Sequence, residues 1–206
     1  MKTVAVAVLV FVLPGVGSGF QGMEWIKYNS PQGRYSVLVP GEPTLSRQQT
    51  VASGGKKITQ YRATAFEANF AVFVAYYDYA STMTYSLNQA RDSIVASLGT
   101  LLSERKINLG DHPGLEMNVS AKGSDGTELL VRVRIYDVDR RVYVLQFIIP
   151  RLKDDDVSAE KATRYFDSFR ITKRPKGSVQ EPVDVPAARH YNHAASHEVA
   201  LSVEKS

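Results

Sequence analysis

FAVFVAYYDY, residues 70–79, is apolar or aromatic on both alternating faces until it reaches Asp78. A strand presents successive side chains to opposite sides, so this segment must be kept from water on both. VYVLQFII, residues 142–149, has the same character. Both read as central strands of a sheet that is covered above and below.

The flanking segments are half-buried or edge strands. Residues 34–39 alternate and stop at Pro40, residues 57–66 follow the Ser53-Gly54-Gly55 turn, and residues 21–29 read as a lead-in. Residues 101–109, 115–121 and 128–138 are further strands, linked by Gly110-Asp111-His112-Pro113-Gly114 and Gly123-Ser124-Asp125-Gly126. Asp139-Arg140 turns the chain into the second two-sided strand. Such hairpin turns predict mainly antiparallel pairing. Leu87, Ala90, Ile94 and Leu98 recur at helical spacing, with Ser81 or Thr82 as the expected cap and Gly99 as the stop. A second helix follows Asp154-Asp155-Asp156 and buries Ala162, Tyr165, Phe166 and Phe169. The fold class expected is α+β: a twisted, mainly antiparallel sheet sandwiched by helices.

The ends carry a different signal. Met1-Lys2 is followed by VAVAVLVFVLPGV from Val4, then by Gly17, Ser18 and Gly19. A positive start, a short apolar run and small residues predict a secretory signal peptide over residues 1–19. The run is shorter than the roughly 20 residues of a membrane span, so no stable membrane insertion is expected after cleavage. The α/β domain then spans residues 20–172. Residues 173–206, with Pro175, Pro182 and Pro186 and no apolar period, read as a disordered tail. The expected location is periplasmic or extracellular.

Composition narrows the function classes. The chain of 206 residues has no cysteine, which removes disulfides, thiol catalysis, zinc–thiolate sites and a lipoprotein anchor. Its 25 basic and 21 acidic residues leave a formal charge of only +4, without the basic stripe of a nucleic-acid binder. Among exported proteins, the lack of cysteine points towards a bacterial one. In such a setting the acceptor pattern Asn118-Val119-Ser120 has no glycosylation meaning.

Several residues at this point resemble the PsbP-like superfamily. They are Trp25, Tyr28-Asn29-Ser30-Pro31-Gln32-Gly33-Arg34-Tyr35-Ser36-Val37, Pro40-Gly41-Glu42-Pro43, Tyr76-Tyr77-Asp78, Ala90-Arg91-Asp92, the Gly110–Gly114 turn and Phe166-Asp167-Ser168-Phe169. The superfamily groups the extrinsic PsbP subunit of photosystem II, the Ran-binding Mog-type proteins and many exported bacterial proteins, which this chain resembles most. The resemblance runs over residues 24–172 and implies the fold. It implies no site, because no metal-binding or partner-binding position of PsbP or Mog proteins is matched here.

Candidate sites are few. His112 is the only histidine in the folded body and sits in a turn, where a surface role is simpler than a catalytic base. Glu116, Glu128, Asp137 and Asp139 offer carboxylates for acid–base work, but alternation places most on solvated faces. Asp154-Asp155-Asp156 with Glu160 lacks the alternation and glycine of an EF-hand; a solvated loop whose last aspartate, Asp156, caps the following helix suits it better than calcium. In the tail, His190, His193 and His197 would share one face of a helix and suit zinc, copper or nickel there. Tyr76, Tyr77 and Tyr79 around Asp78 are placed to rim a small pocket.

The remaining group is cationic. Arg132, Arg134 and Tyr136 share a strand face, and Arg141 follows at the turn. Together they suit an anionic ligand or acidic partner. If that face lies under a helix, the guanidinium groups instead reach its edge and pair with carboxylates. No catalytic constellation and no cofactor motif is present. The sequence therefore predicts a non-enzymatic accessory or protein-interaction domain, with a small-ligand protein using a cleft between sheet and helix as the alternative.

Overall fold

The computed structural model describes residues 24–51, 57–82 and 85–172. The expected signal peptide over 1–19 and the tail with His190, His193 and His197 lie outside these residues. In chain order the elements are β1 (Trp25–Ser30), β2 (Tyr35–Pro40), β3 (Thr44–Val51), β4 (Lys57–Glu67), β5 (Phe70–Asp78) and α1 (Leu87–Leu98). They continue with β6 (Gly99–Leu109), β7 (His112–Lys122), β8 (Glu128–Val138), β9 (Arg141–Pro150), a 3-10 turn (Arg151–Lys153), α2 (Asp156–Asp167) and β10 (Arg170–Ile171).

A seven-stranded sheet runs in the order β3-β4-β5-β9-β8-β7-β6, and a small sheet in the order β1-β2-β10. Every described pairing is antiparallel. The two-sided strands β5 and β9 pair at the centre. Alternate residues of β5 enter two different cores. Phe73, Ala75 and Tyr77 join Ala90, Ile94 and Leu98 of α1. Val72, Val74 and Tyr76 join Tyr35, Val37 and Val39 of β2 and Ala162, Tyr165 and Phe166 of α2.

The sandwich expected from the sequence therefore takes a different form. A helix covers one face, and a second small sheet with a helix covers the other. The small sheet was not foreseen, because residues 25–30 read as a lead-in; pairing along β2 orders them. Strand β3 was also missed. Its sequence TLSRQQTV is polar, and an edge strand needs a partner on one side only. The helix caps shift as well. Ser86, not Ser81 or Thr82, caps α1 by accepting from Gln89 N. Asp155, not Asp156, caps α2 in a reciprocal box with Ser158.

A row of rings crosses the large sheet on its α2 side. Gly114 faces Tyr136, Tyr136 faces Tyr143, Tyr143 faces Tyr76, and Tyr76 faces Tyr61. Phe169 stacks on Tyr136 with centroids 6.1 Å apart. A Cβ at position 114 would lie 2.6 Å from the Tyr136 ring and 2.5 Å from the Ile135 carbonyl, so the row requires glycine there. Tyr143 donates to the Gly33 carbonyl at 2.7 Å, and Tyr165 to the Phe73 carbonyl at 2.7 Å, which satisfies both buried hydroxyls.

The β8–β9 turn is tight. Asp139 and Arg140 both take left-handed backbone, with φ of 49° and 64°. Asparagine and glycine suit two such positions better. Replacing Asp139-Arg140 with Asn-Gly is expected to stabilise the fold by about 1 kcal/mol. Urea unfolding of the double variant checks this, with a raised midpoint and unchanged slope as the expected result.

Candidate functional site: an arginine ladder beside helix α2

The hairpin registers of β6, β7 and β8 set side chains in rows on the α2 side of the large sheet. Arg105 faces Glu116, which faces Arg134. In the next row Ser103 faces Asn118, which faces Arg132. Directly opposed residues of opposite charge attract across strands, and here they connect into a ladder. Glu116 accepts from Arg105 Nε through Oε1 and from Arg134 Nε through Oε2, both at 2.6 Å. Arg134 also reaches Asp167 at the end of α2, 2.9 Å away. Asn118 donates to Ser103 at 2.9 Å.

Helix α2 and the 3-10 turn wall this floor on one side. Asp154, ahead of the α2 cap, accepts from Arg132 Nη2 at 2.6 Å. The Arg134 guanidinium lies over the Phe166 ring, 4.8 Å from its centroid. Between floor and wall runs an open groove of about 450 Å³. Arg105, Arg132, Arg134 and Arg151 line it, against the carboxylates of Glu116 and Asp154. Among the described residues Arg151 has no ion-pair partner. Leu102, on the edge strand β6, is 47% exposed at the rim.

Arg134 keeps its charge. Burial opposes the charge on Arg134, but its hydrogen bonds to Asp167 and Glu116 outweigh this and hold its pKa above the ordinary value. The groove thus offers two fixed, partly desolvated guanidinium groups, Arg132 and Arg134, with the exposed Arg105 and Arg151 beside them. Such groups bind carboxylate or phosphate through paired N–H donors.

The residues expected to form one cationic surface separate. Arg132 and Arg134 lie in the groove. Tyr136 is buried beneath Phe169, where desolvation raises its pKa. Arg141 is also buried, which corrects its placement on a surface at the turn. It makes a two-pronged pair with Asp78, at 2.6 and 2.7 Å, and donates to the Gln32 carbonyl at 2.8 Å. Its guanidinium covers the Tyr76 ring, 4.8 Å from the centroid. It therefore ties β9 and β5 to the β1–β2 turn. Arg105 and Arg151 take the two vacant places, and neither stood out in the sequence.

The other candidates fall elsewhere. Glu128 and Asp139 are exposed, and Glu116 belongs to the ladder. Asp137 accepts from the Tyr79 hydroxyl through both oxygens, at 3.0 and 3.1 Å. Burial raises the Asp137 pKa, while Tyr79 and the nearby His112 oppose the rise. Tyr79 itself is pushed up to about 12, by burial first and Asp137 second. Tyr79 stacks on Tyr85, 5.4 Å between centroids, while Tyr76 points into the opposite core. The three tyrosines around Asp78 therefore do not rim one pocket. Among the described residues no three His, Cys, Asp or Glu side chains converge as a metal site.

No family model matches the chain, and no curated protein matches it. Solved structures show likeness in chain path. The solution structure of cyanobacterial PsbP (CyanoP) from Synechocystis sp. PCC 6803 has a TM-score of 0.46 and 13% identity, over 76% of this chain and 96% of that one. A protein from Bacteroides thetaiotaomicron VPI-5482 gives 0.43 and 13%, over 78% and 52%. A protein of unknown function from Pseudomonas aeruginosa, PA94, gives 0.35 and 12%, over 77% and 98%. At such identity and TM-scores, none of these says what this chain binds. No helix among the described residues is long and apolar enough to cross a membrane.

Arg141 and Arg132 should respond differently to substitution. Arg141→Ser strands Asp78 and the Gln32 carbonyl, and is expected to cost about 2–3 kcal/mol, at or below the low end for a broken buried pair because Asp78 is largely solvated. Arg132→Ser should cost less than about 1 kcal/mol, as for a half-exposed pair. Thermal melts of the two variants check this, and equal losses would refute the division.

Proposed function

We propose that the protein is an exported, non-enzymatic accessory module that docks an acidic segment of a partner protein in the arginine-lined groove. The observation that supports this is the charge imbalance of the groove: four guanidinium groups face two carboxylates. Arg132 and Arg134, held in place between the sheet and the α2 end of the groove, lose little freedom when a partner binds, so they favour specific over diffuse attraction. Leu102 at the rim adds an apolar contact for a partner side chain.

A second reading rests on the same groove's position. It lies between the sheet and α2, and about 450 Å³ is the size of a small-ligand site. A compact polyanion such as citrate would then fill it without a protein partner. The polar floor and the open shape favour an extended acidic chain over an enclosed ligand.

A hexaglutamate peptide is the probe that tests the docking. Its binding should weaken as salt rises, since open charges are screened over about 8–10 Å. The double variant Arg132→Ser/Arg151→Ser should lower affinity at least tenfold and leave the melting temperature nearly unchanged. Binding that ignores both salt and these substitutions would overturn the proposal. Citrate binding at lower concentration than the peptide would favour the small-ligand reading.

Export is part of the same proposal and is checked separately. Material recovered outside the cytoplasm of the native host is expected to begin near Phe20 in intact-mass analysis, and a mass that includes Met1 would replace cleavage with an anchor.

A further inference from the structure

Strand β6 ends the seven-stranded sheet, and among the described strands only β7 pairs with it. No other described backbone group bonds to its outer side. Residues 102–106 are all exposed. The sheet's other edge, β3, carries Arg47 as its only charged residue, whereas β6 carries Glu104, Arg105 and Lys106 in succession. The β6–β7 register slips between Leu101 and Ser103, after which Ser103–Leu109 runs unbroken against His112–Asn118. An open edge of seven residues results.

Each face of this edge ends on an uncompensated cation. On the α2 side the row reads Arg134, Glu116, Arg105, so one carboxylate serves two guanidinium groups. The Arg105 side chain, at the outer end of the row, is 67% exposed. On the α1 side Lys106 faces Leu115, and among the described residues it has no ion-pair partner. Glu104 is already held by Arg91 of α1, whose Nη1 donates to both carboxylate oxygens at 3.0 and 2.9 Å. The free charges of the edge are thus positive, at adjacent positions and on opposite faces.

Opposite charges set directly across two strands attract, and like charges repel. Two copies of β6 paired antiparallel about Glu104, Arg105 or Lys106 would set that charge opposite itself, so a second copy fits poorly. Charges on an edge also keep apolar strands off. A strand with two adjacent acidic residues meets both cations, one on each face. We propose that β6 receives such an acidic segment of a partner protein as an added strand, antiparallel like every described pairing in the sheet. The open N–H and C=O groups of β6 supply the attachment, and Arg105 and Lys106 supply the selection. The site is the edge of the sheet. It shares only Arg105 with the cations of the groove, and it stands whether or not the groove is filled.

The probe is the end-blocked heptapeptide Val-Thr-Val-Glu-Glu-Thr-Val, titrated into the purified chain and followed by NMR. At saturation, amide exchange should slow at least tenfold at alternate residues within 103–109, those whose N–H groups point away from β7. An analogue with Lys-Lys in place of Glu-Glu should bind at least tenfold more weakly, and so should the parent peptide to Arg105→Ser/Lys106→Ser. Methylating alternate peptide nitrogens blocks one edge of the added strand. Of the two such isomers, one should bind like the parent peptide and the other at least tenfold more weakly. Arg132→Ser/Arg151→Ser should bind the peptide within about twofold of the unaltered chain. No slowed exchange in β6, equal binding of the two methylated isomers, or equal binding of the Lys-Lys analogue would each overturn the proposal. Loss of binding in Arg132→Ser/Arg151→Ser, with indifference to methylation, would put the peptide in the groove; that overturns strand addition and supports the groove reading. Slow exchange at the same amides before peptide is added would overturn it too, since the edge would already be taken, by a second copy if the mass is dimeric.

Discussion

Strands β5 and β9 lie side by side and present large apolar side chains to both faces of one sheet. Water must be excluded above and below at once, and the rest of the chain is arranged to do so. Helix α1 closes one face with Ala90, Ile94 and Leu98. The other needs more area, and β1, β2, β10 and α2 share it. Each buried aliphatic or aromatic side chain is worth roughly 1.5–3 kcal/mol, so losing either cover would remove more than the net stability of an ordinary domain. The polar groups that enter these cores come with partners, as at Tyr143, Tyr165 and Arg141. Gln146 is an exception, since its Nε2 has no hydrogen-bond partner among the described residues.

The parts of the fold with strong local signals were readable in advance. The two-sided strands announced a covered sheet, the turn sequences announced antiparallel hairpins, and the Leu87-Ala90-Ile94-Leu98 spacing announced α1. What was lost had weak local character. The run Thr44–Val51 is polar and stands as a strand through its ladder to β4. Trp25–Ser30 is short, and its place is set by β2 and by the core beneath, which are remote information for a reader of single segments. The caps were misplaced by one to several residues because serine, threonine and aspartate crowd both helix starts, and only tertiary position selects among them.

The site was legible in part, for a reason that can be traced. Alternation put Arg132 and Arg134 on one side of β8. Their partners on β7 and β6 follow by counting back from the turns. With Leu109 opposite His112 and Lys122 opposite Glu128, Arg105 must face Glu116 and Glu116 must face Arg134. That count was available from the Gly110-Asp111 and Gly123–Gly126 turns and would have exposed the ladder. The contributions of Asp154, Arg151 and Asp167 had no such signal, since they depend on where α2 lands. Arg141 misled because a residue beside a turn usually reaches solvent, whereas here the β1–β2 turn folds over it.

Trp25 is the only tryptophan in the chain, and its position gives the molecule a built-in reporter. It belongs to the small sheet, stacks on Phe70 of the large sheet at 6.1 Å, and lies beneath the Arg164 guanidinium of α2 at 5.0 Å. Three elements distant in sequence thus converge on one indole. Its emission reads the seam between the sheets rather than any one strand. A colour shift that precedes loss of ellipticity during unfolding would mean that the small sheet lifts off while the large one is still hydrogen-bonded. A coincident change would mean that the two layers form one cooperative unit.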